Sequence, residues 1–283
     1  MIVSQNSASS IIIHNIENFS LDQTFECGQC FRWNKIGANT YIGIAYGNPL
    51  ILRQLSKHEI ELFTTESEFN SFWSHYFDVD KNYGAIKNKI QNDKFLSNAA
   101  DFGWGIRILK QEPWEALISF ITSQQNNIPR IKKLIDSLSQ TAGEKVEYMG
   151  YTLYKFPTPK QIVSLGESGL TELGFGYRSE YIYKAASKLA ETIRPLNLLH
   201  RSNGVSYEIA LSHLLTYKGV GDKVANCVAL FGLGHTSAFP IDVWIKKVIA
   251  DVYNGTLDIA PFGEDAGVIQ QYMFYYMRAM TKK

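Results

Sequence analysis

Residues 214–234, LLTYKGVGDKVANCVALFGLG, place an amine where helix electrostatics does not favour one. The stretch reads as the end of one helix, a Gly-Val-Gly turn, and a second helix that is apolar almost throughout. Lys223 falls in the first turn of that second helix. This end carries partial positive charge, and an exposed lysine there costs roughly 0.3–1 kcal/mol. Partly desolvated, the position favours a neutral amine, which is a nucleophile. Cys227 follows at i+4 and shares the lysine's helix face. About twenty residues beyond Lys223, Asp242 in FPIDVW opens a further helix. It serves there as a cap or, held near Lys223, stabilises positive charge developing on a substrate. The plainer alternative is a solvated lysine beside a buried thiol. Gly219 and Gly221 let the backbone turn sharply and approach a ligand closely. They also expose N–H groups at a helix start, which is an anion site.

The elements that must hold these residues fall into two parts. FRWNKI (31–36), TYIGIAY (40–46) and PLILRQL (49–55) are short aromatic and β-branched runs separated by turn residues, which predicts an antiparallel meander. Amphipathic helices follow around ESEFNSFWSHYF and YGAIKNKIQ. From about residue 106 the pattern turns helical, with Pro113 at a favourable first-turn position and a helix ending near Gly143. Further helices are expected at 179–193, through the hairpin, and in the segments after Asp242. A strand-like patch, YTLYKF (151–156), interrupts them. The expected fold is α+β: an N-terminal antiparallel β-sheet domain with helices (1–105), then a mostly α-helical body (106–283) carrying the hairpin.

Composition narrows the class without deciding it. The 283 residues are 45% hydrophobic, enough for a substantial core, and carry a net charge of +1. Residues 1–100 hold 8 Lys and Arg against 10 Asp and Glu, so the excess of positive charge sits in the remainder. An anionic polymer would have to be gripped locally rather than drawn in by the whole field. No apolar run approaches the roughly 18 residues of a membrane helix, and no basic leader precedes the Ile-rich run at 11–13, so no signal peptide is expected. Three cysteines argue against a disulfide framework and fit a reducing cytoplasm.

GVGDKVANC and FPIDVW together resemble the helix-hairpin-helix base-excision DNA glycosylases, and within them the 8-oxoguanine DNA glycosylases. LDQTFECGQCFRW (21–33), FITSQQNNIPRI (120–131) and LGFGYRSEY (173–181) extend the likeness over nearly the whole chain, in order. The resemblance implies a bifunctional glycosylase and AP lyase that flips 8-oxoguanine out of duplex DNA, excises it through a Lys223 Schiff base and cuts the strand by β-elimination. It gives Asp242 the role of stabilising oxocarbenium-like charge. It places Cys227 and Phe274 against the two faces of the base, Gln270 on its pairing edge, and the Gly28 carbonyl on the N7–H that distinguishes 8-oxoguanine from guanine. It assigns Asn127 to the gap left by the base, Arg130 and Arg178 to the opposite cytosine, and Tyr177 to the wedge between bases. Gly219 and Gly221 would hold the phosphate backbone.

Three departures stand out: Lys218 where the family usually has proline, Gln124 and Gln125 within the Asn-rich run, and Trp244 where histidine is frequent. Lys218 and Trp244 are then candidates for phosphate contact and stacking. Cys27 and Cys30 are spaced as a metal half-site, but with no second pair they read as loop or core thiols. No cofactor is expected, and no metal beyond a monovalent cation on the hairpin backbone. The partner is double-stranded DNA bearing 8-oxoguanine opposite cytosine, met by a monomer away from membranes, in the cytoplasm or at a nucleoid. The competing readings are a monofunctional alkylated-base glycosylase, in a branch that lacks the hairpin lysine, and a non-catalytic helix-hairpin-helix DNA-binding protein.

Overall fold

The computed structural model describes residues 1–7, 9–191 and 196–281. Six strands form one antiparallel sheet: β1 (Ile2–Ser7), β2 (Ser10–His14), β3 (Trp33–Gly37), β4 (Thr40–Ala45), β5 (Asn48–Ser56) and β6 (Glu59–Leu62), in the order β1-β2-β6-β5-β4-β3. The expected three-strand meander is β3-β4-β5. Three further strands join it. The Ile-rich run 11–13 is β2, with Ile11 and Ile13 fully buried, and it pairs with β6, whose Ile60 and Leu62 face the same core. Strands this short carry two inward side chains each, so their alternation is weak in the sequence.

An aromatic cluster fills the space beneath the sheet. Phe25 stacks on Trp33 at 4.5 Å, and Trp33 donates from Nε1 to the Tyr76 hydroxyl at 2.9 Å. Gly43 is required here. A Cβ on it would lie 2.4 Å from the Trp33 ring, so only glycine lets strand and indole meet.

The helices are α1 (Leu21–Glu26), α2 (Tyr83–Ile90), α3 (Lys94–Phe102), α4 (Pro113–Thr122), α5 (Ile128–Ala142), α6 (Pro159–Glu172), α7 (Arg178–Ala190), α8 (Tyr207–Leu214), α9 (Asp222–Phe231), α10 (Val243–Val252) and α11 (Ala266–Thr281). A helical stretch at 66–76 with a central π-turn lies under the sheet. A two-stranded ribbon, β7 (Lys145–Tyr148) with β8 (Tyr151–Tyr154), accounts for the strand-like patch. The expected helix at 179–193 is α7; residues 192 and 193 lie outside the described residues.

A second, larger core runs through the helices, and α2 and α3 contribute their buried faces to it rather than to the sheet. The last helix, α11, returns to pack on α3. From there Gln271 donates to the Cys27 carbonyl at 2.9 Å and Arg278 to the Glu26 carbonyl at 2.7 Å. The loop after α1 is therefore clamped by the chain's last helix. The cleft described next opens along that seam.

Candidate active site

The hairpin is α8, a turn through Tyr217 and Gly219, and α9. Gly219 has φ +78°, and a Cβ there would fall 2.2 Å from the Tyr181 ring of α7. Both conformation and space demand glycine. Gly221 differs from expectation. Its φ of −99° suits any residue and a Cβ would meet nothing, so it is not needed for the turn. It is the uncapped N-cap of α9, leaving the first N–H groups of that helix open, as an anion site requires.

Lys223 sits one residue inside α9 and is half-buried. Its Nζ donates to Ser123 Oγ at 3.2 Å and lies 5.4 Å from the centre of the Phe120 ring. It makes no ion pair among the described residues. The amine is thus held by one weak partner and an aromatic face, leaving N–H groups and direction to spare. Below it Cys227 is buried; desolvation raises its thiol pKa, and the nearby Lys223 charge acts the other way.

Asp242 does what its position suggests: Oδ1 caps α10 by accepting from the Trp244 and Ile245 N–H groups at 3.0 and 2.9 Å. Loss of water pushes its carboxyl above the usual aspartate value, against the Ile245 hydrogen bond and the Lys223 charge, which favour the ionised form. A carboxylate short of water, near an amine, is matched to positive charge developing between them. Capping and electrostatic stabilisation are compatible.

The opposite wall is built by the 27–30 loop. Gln29 is fully buried, donates to the Thr24 and Arg107 carbonyls at 3.0 and 2.7 Å, and accepts from the Leu109 N–H at 2.9 Å. That network fixes Gly28 in the left-handed region, φ +87°, where glycine is the unstrained choice. A Cβ at Gly28 would meet Ile128 at 3.1 Å and Phe274 and Arg278 at 3.4 Å. The Gly28 carbonyl accepts no hydrogen bond among the described residues. Cys27 and Cys30 are buried free thiols, both with pKa values raised by desolvation.

These walls enclose a cleft of about 1080 Å³. Lys223, Asp242, Gly28, Cys227, Gln270, Phe274, Asn127 and Trp244 all line it. Gln270 is buried, and its Oε1 has no hydrogen-bond partner among the described residues. Phe274 is half-buried. Asn127 caps α5, accepting from the Arg130 N–H at 3.0 Å. Arg130 itself is exposed in the first turn of α5.

At the rim the arrangement departs from expectation. Tyr177 is exposed and packs edge-on against Tyr181, as a wedge must be presented. Arg178 is buried: its guanidinium donates from Nε to the Gln124 carbonyl at 3.0 Å and also reaches the Gln125 and Phe175 carbonyls. Most of the N–H groups of this charged fork are spent on backbone oxygens, leaving one at Nη1. Without DNA, Arg178 thus braces the 123–127 loop, in which Gln125 has a positive φ of 47°, and the expected contact to cytosine would draw on the N–H that remains. Lys218 forms an ion pair with Glu180, which also holds Lys184, so its charge is shared rather than free for phosphate. The sequence reading missed Ser123, Phe120, Gln271 and Arg278. The last two lie on the same helix as Gln270 and Phe274, and Arg278 repeats their four-residue step.

Known proteins match this architecture. Residues 11–117 match the N-terminal domain of 8-oxoguanine DNA glycosylase, and residues 118–258 the HhH-GPD superfamily of base excision DNA repair proteins. The N-glycosylase/DNA lyase of Saccharomyces cerevisiae is 33% identical over 83% of this chain and 68% of that protein. The chain belongs to the 8-oxoguanine DNA glycosylase/lyase family. Two solved structures superpose at TM-score 0.92. One is MBOgg1 in complex with a low affinity DNA ligand, at 38% identity over 99% of this chain and all of that one. The other is the Clostridium acetobutylicum 8-oxoguanine glycosylase/lyase with double-stranded DNA containing cytosine opposite 8-oxoguanine, at 35% identity over 99% of each. No helix among the described residues is long and apolar enough to cross a membrane.

Proposed function

We propose that this protein excises 8-oxoguanine from opposite cytosine in duplex DNA and then cleaves the strand, with Lys223 as nucleophile. The observation that carries this reading is the convergence of Lys223 and Asp242 on one wall of a cleft whose other wall is Gly28, Gln270 and Phe274. The reacting sugar carbon is inaccessible in the stacked duplex, so the nucleotide must rotate into the cleft. The Lys223 Nζ lone pair forms a bond to C1′ as the glycosidic bond breaks, and the base departs with that bond's electron pair and takes up the proton the amine gives up. Asp242 stabilises positive charge on the sugar meanwhile. Opening of the sugar gives a Schiff base; loss of a C2′ proton then expels the 3′ phosphate, which is β-elimination.

Selection rests on Gly28. Oxidation turns N7 from an acceptor into an N–H donor that the Gly28 carbonyl accepts. Guanine would set two acceptors together, a cost of roughly 1–3 kcal/mol. Cys227 and Phe274 flank the ring. Tyr177 wedges the duplex, Asn127 occupies the vacated space, and the hairpin turned by Gly219 presents the open N–H groups after Gly221 to phosphate, with Trp244 at the strand's edge. Arg130, exposed and donor-only, faces the opposite cytosine, whose O2 and N3 accept; adenine presents an amino group there instead. Incision assays with 8-oxoguanine opposite each of the four bases test the reading. Cytosine should be preferred over adenine by one to two decades, about 1–3 kcal/mol, and Arg130→Ala should flatten that preference. Equal rates on both pairs would overturn the Arg130 assignment; no incision of any pair would overturn the function.

A further inference from the structure

Arg278 closes the far end of the cleft, and its hydrogen bonding is incomplete. Its Nη2 donates to the Glu26 carbonyl at 2.7 Å, which fixes the guanidinium in place. Its Nη1 is buried and has no partner among the described residues. No carboxylate pairs with it among the described residues; the Glu26 carboxylate is engaged by Lys132 at 2.8 Å. The Phe274 and Tyr275 rings, 5.4 and 5.8 Å away, meet the guanidinium but accept no conventional hydrogen bond from the Nη1 edge. Arginine cannot shed its charge to relieve this. A fixed, buried, cationic donor without an acceptor is costly unless a ligand supplies one.

Its surroundings say which ligand. Gln270, Phe274 and Arg278 stand at i, i+4 and i+8, one face of α11 spanning about 12 Å of axis. The two outer residues each carry a buried unpartnered polar atom, Gln270 Oε1 and Arg278 Nη1, with an aromatic ring between. That pattern suits a flat heterocycle lying on Phe274 with polar groups at both edges. Nη1 would sit 3.4 Å from a Cβ on Gly28, so the donor lies beside the residue whose carbonyl is proposed to receive N7–H. In 8-oxoguanine N7–H is flanked on both sides by keto oxygens, O6 and O8. An acceptor with a cationic donor at its side is the complement of that edge.

We propose that Arg278 is a specificity-determining contact of this site, donating from Nη1 to a keto oxygen adjacent to N7 of the extruded purine. The proposal rests on the function proposed above. It adds a positive charge to the recognition of an oxidised base, where Gly28 supplies only a dipole.

The test is equilibrium binding by wild type and Arg278→Met to duplexes whose 2′-fluorinated nucleotides resist cleavage, bearing 8-oxoguanine or 8-oxoadenine. A duplex with a tetrahydrofuran abasic analogue serves as the reference, since it lacks any base. The variant should lose on the order of tenfold or more in affinity for 8-oxoguanine beyond whatever it loses for the tetrahydrofuran duplex, as for a lost charged hydrogen bond. An equal loss on 8-oxoadenine assigns the contact to O8, which both bases carry. A loss confined to 8-oxoguanine assigns it to O6. Matching losses on all three duplexes, or no loss on 8-oxoguanine, would overturn the proposal and leave Arg278 as a clamp on the Glu26 carbonyl. A wild-type protein that binds 8-oxoguanine no better than guanine would remove the proposed function itself, and this contact with it.

Discussion

Asp242 carries two roles that substitution can separate. Oδ1 alone makes both capping hydrogen bonds, at 3.0 and 2.9 Å. The substitution Asp242→Asn keeps a carbonyl oxygen for the cap and removes only the charge. Burial raises the Asp242 pKa, so ionisation is less favourable in the folded protein than in the unfolded chain. Its charge therefore adds no stability near neutral pH, and Asp242→Asn should leave Tm unchanged or slightly higher. Asp242→Ala loses the cap, about 0.5–2 kcal/mol. With an unfolding entropy near 2.1 cal/mol/K per residue, a chain of this length converts that to a fall of roughly 1–3 °C. The rate behaves differently. If the carboxylate stabilises sugar charge, both variants should lose on the order of 10²–10³ in single-turnover base release, the loss typical of one preorganised electrostatic group. Wild-type activity should also fall as acid protonates Asp242, at a pH above the ordinary aspartate range. The assays are single-turnover release of 8-oxoguanine and thermal unfolding on the same preparations. Near-wild-type release by Asp242→Asn would refute the electrostatic role and leave only a cap.

Gly219→Ala should be severe, since φ +78° costs about 1–2 kcal/mol for alanine and the new Cβ would fall 2.2 Å from Tyr181; Gly221→Ala should be mild. Comparable changes in Tm and duplex affinity for the two variants would contradict this. Glu112 is desolvated and lies near Glu115, which pushes its pKa up from 4.5 to about 7. The folded state thus holds this proton more tightly than the unfolded chain, and stability is lost as pH rises from about 4.5 to 7. Glu112→Gln, which keeps the acceptor for the Glu115 N–H, should stabilise by up to about 3 kcal/mol at pH 8 and by almost nothing at pH 4. A Tm difference independent of pH would show that ionisation of Glu112 is not the cause.

The chemistry of this site was more legible in the sequence than its support. Lys223 and Asp242 stand out by residue type and spacing, an amine in a first helical turn and a carboxylate at a helix start, whereas Gly28 enters only through the family resemblance. Arg178 could not be placed. Whether an arginine faces solvent or saturates carbonyls depends on a loop conformation, here with Gln125 at positive φ, that local pattern does not encode. Gly221 was read as a turn residue because it neighbours Gly219, yet only Gly219 touches another helix. Arg278 lies one turn beyond Phe274, where an arginine near a helix end reads as a solvated cation; only the fold brings it against the Glu26 carbonyl. In the sheet, β3, β4 and β5 were visible through their aromatic runs and turns. β2 and β6 were not, since their pairing joins residues about fifty apart and each strand is too short to show its alternation.

The central claim, that Lys223 is the nucleophile, is tested most directly by borohydride trapping on a duplex containing 8-oxoguanine opposite cytosine. Reduction of a Schiff base should leave wild-type protein covalently joined to the damaged strand, with peptide mapping placing the adduct at Lys223. Lys223→Gln should give no adduct and no base release while binding the same duplex nearly as well as wild type, because affinity comes mainly from phosphates and the extruded base. Base release by Lys223→Gln at a rate close to wild type, or an adduct mapped to another amine, would contradict the account.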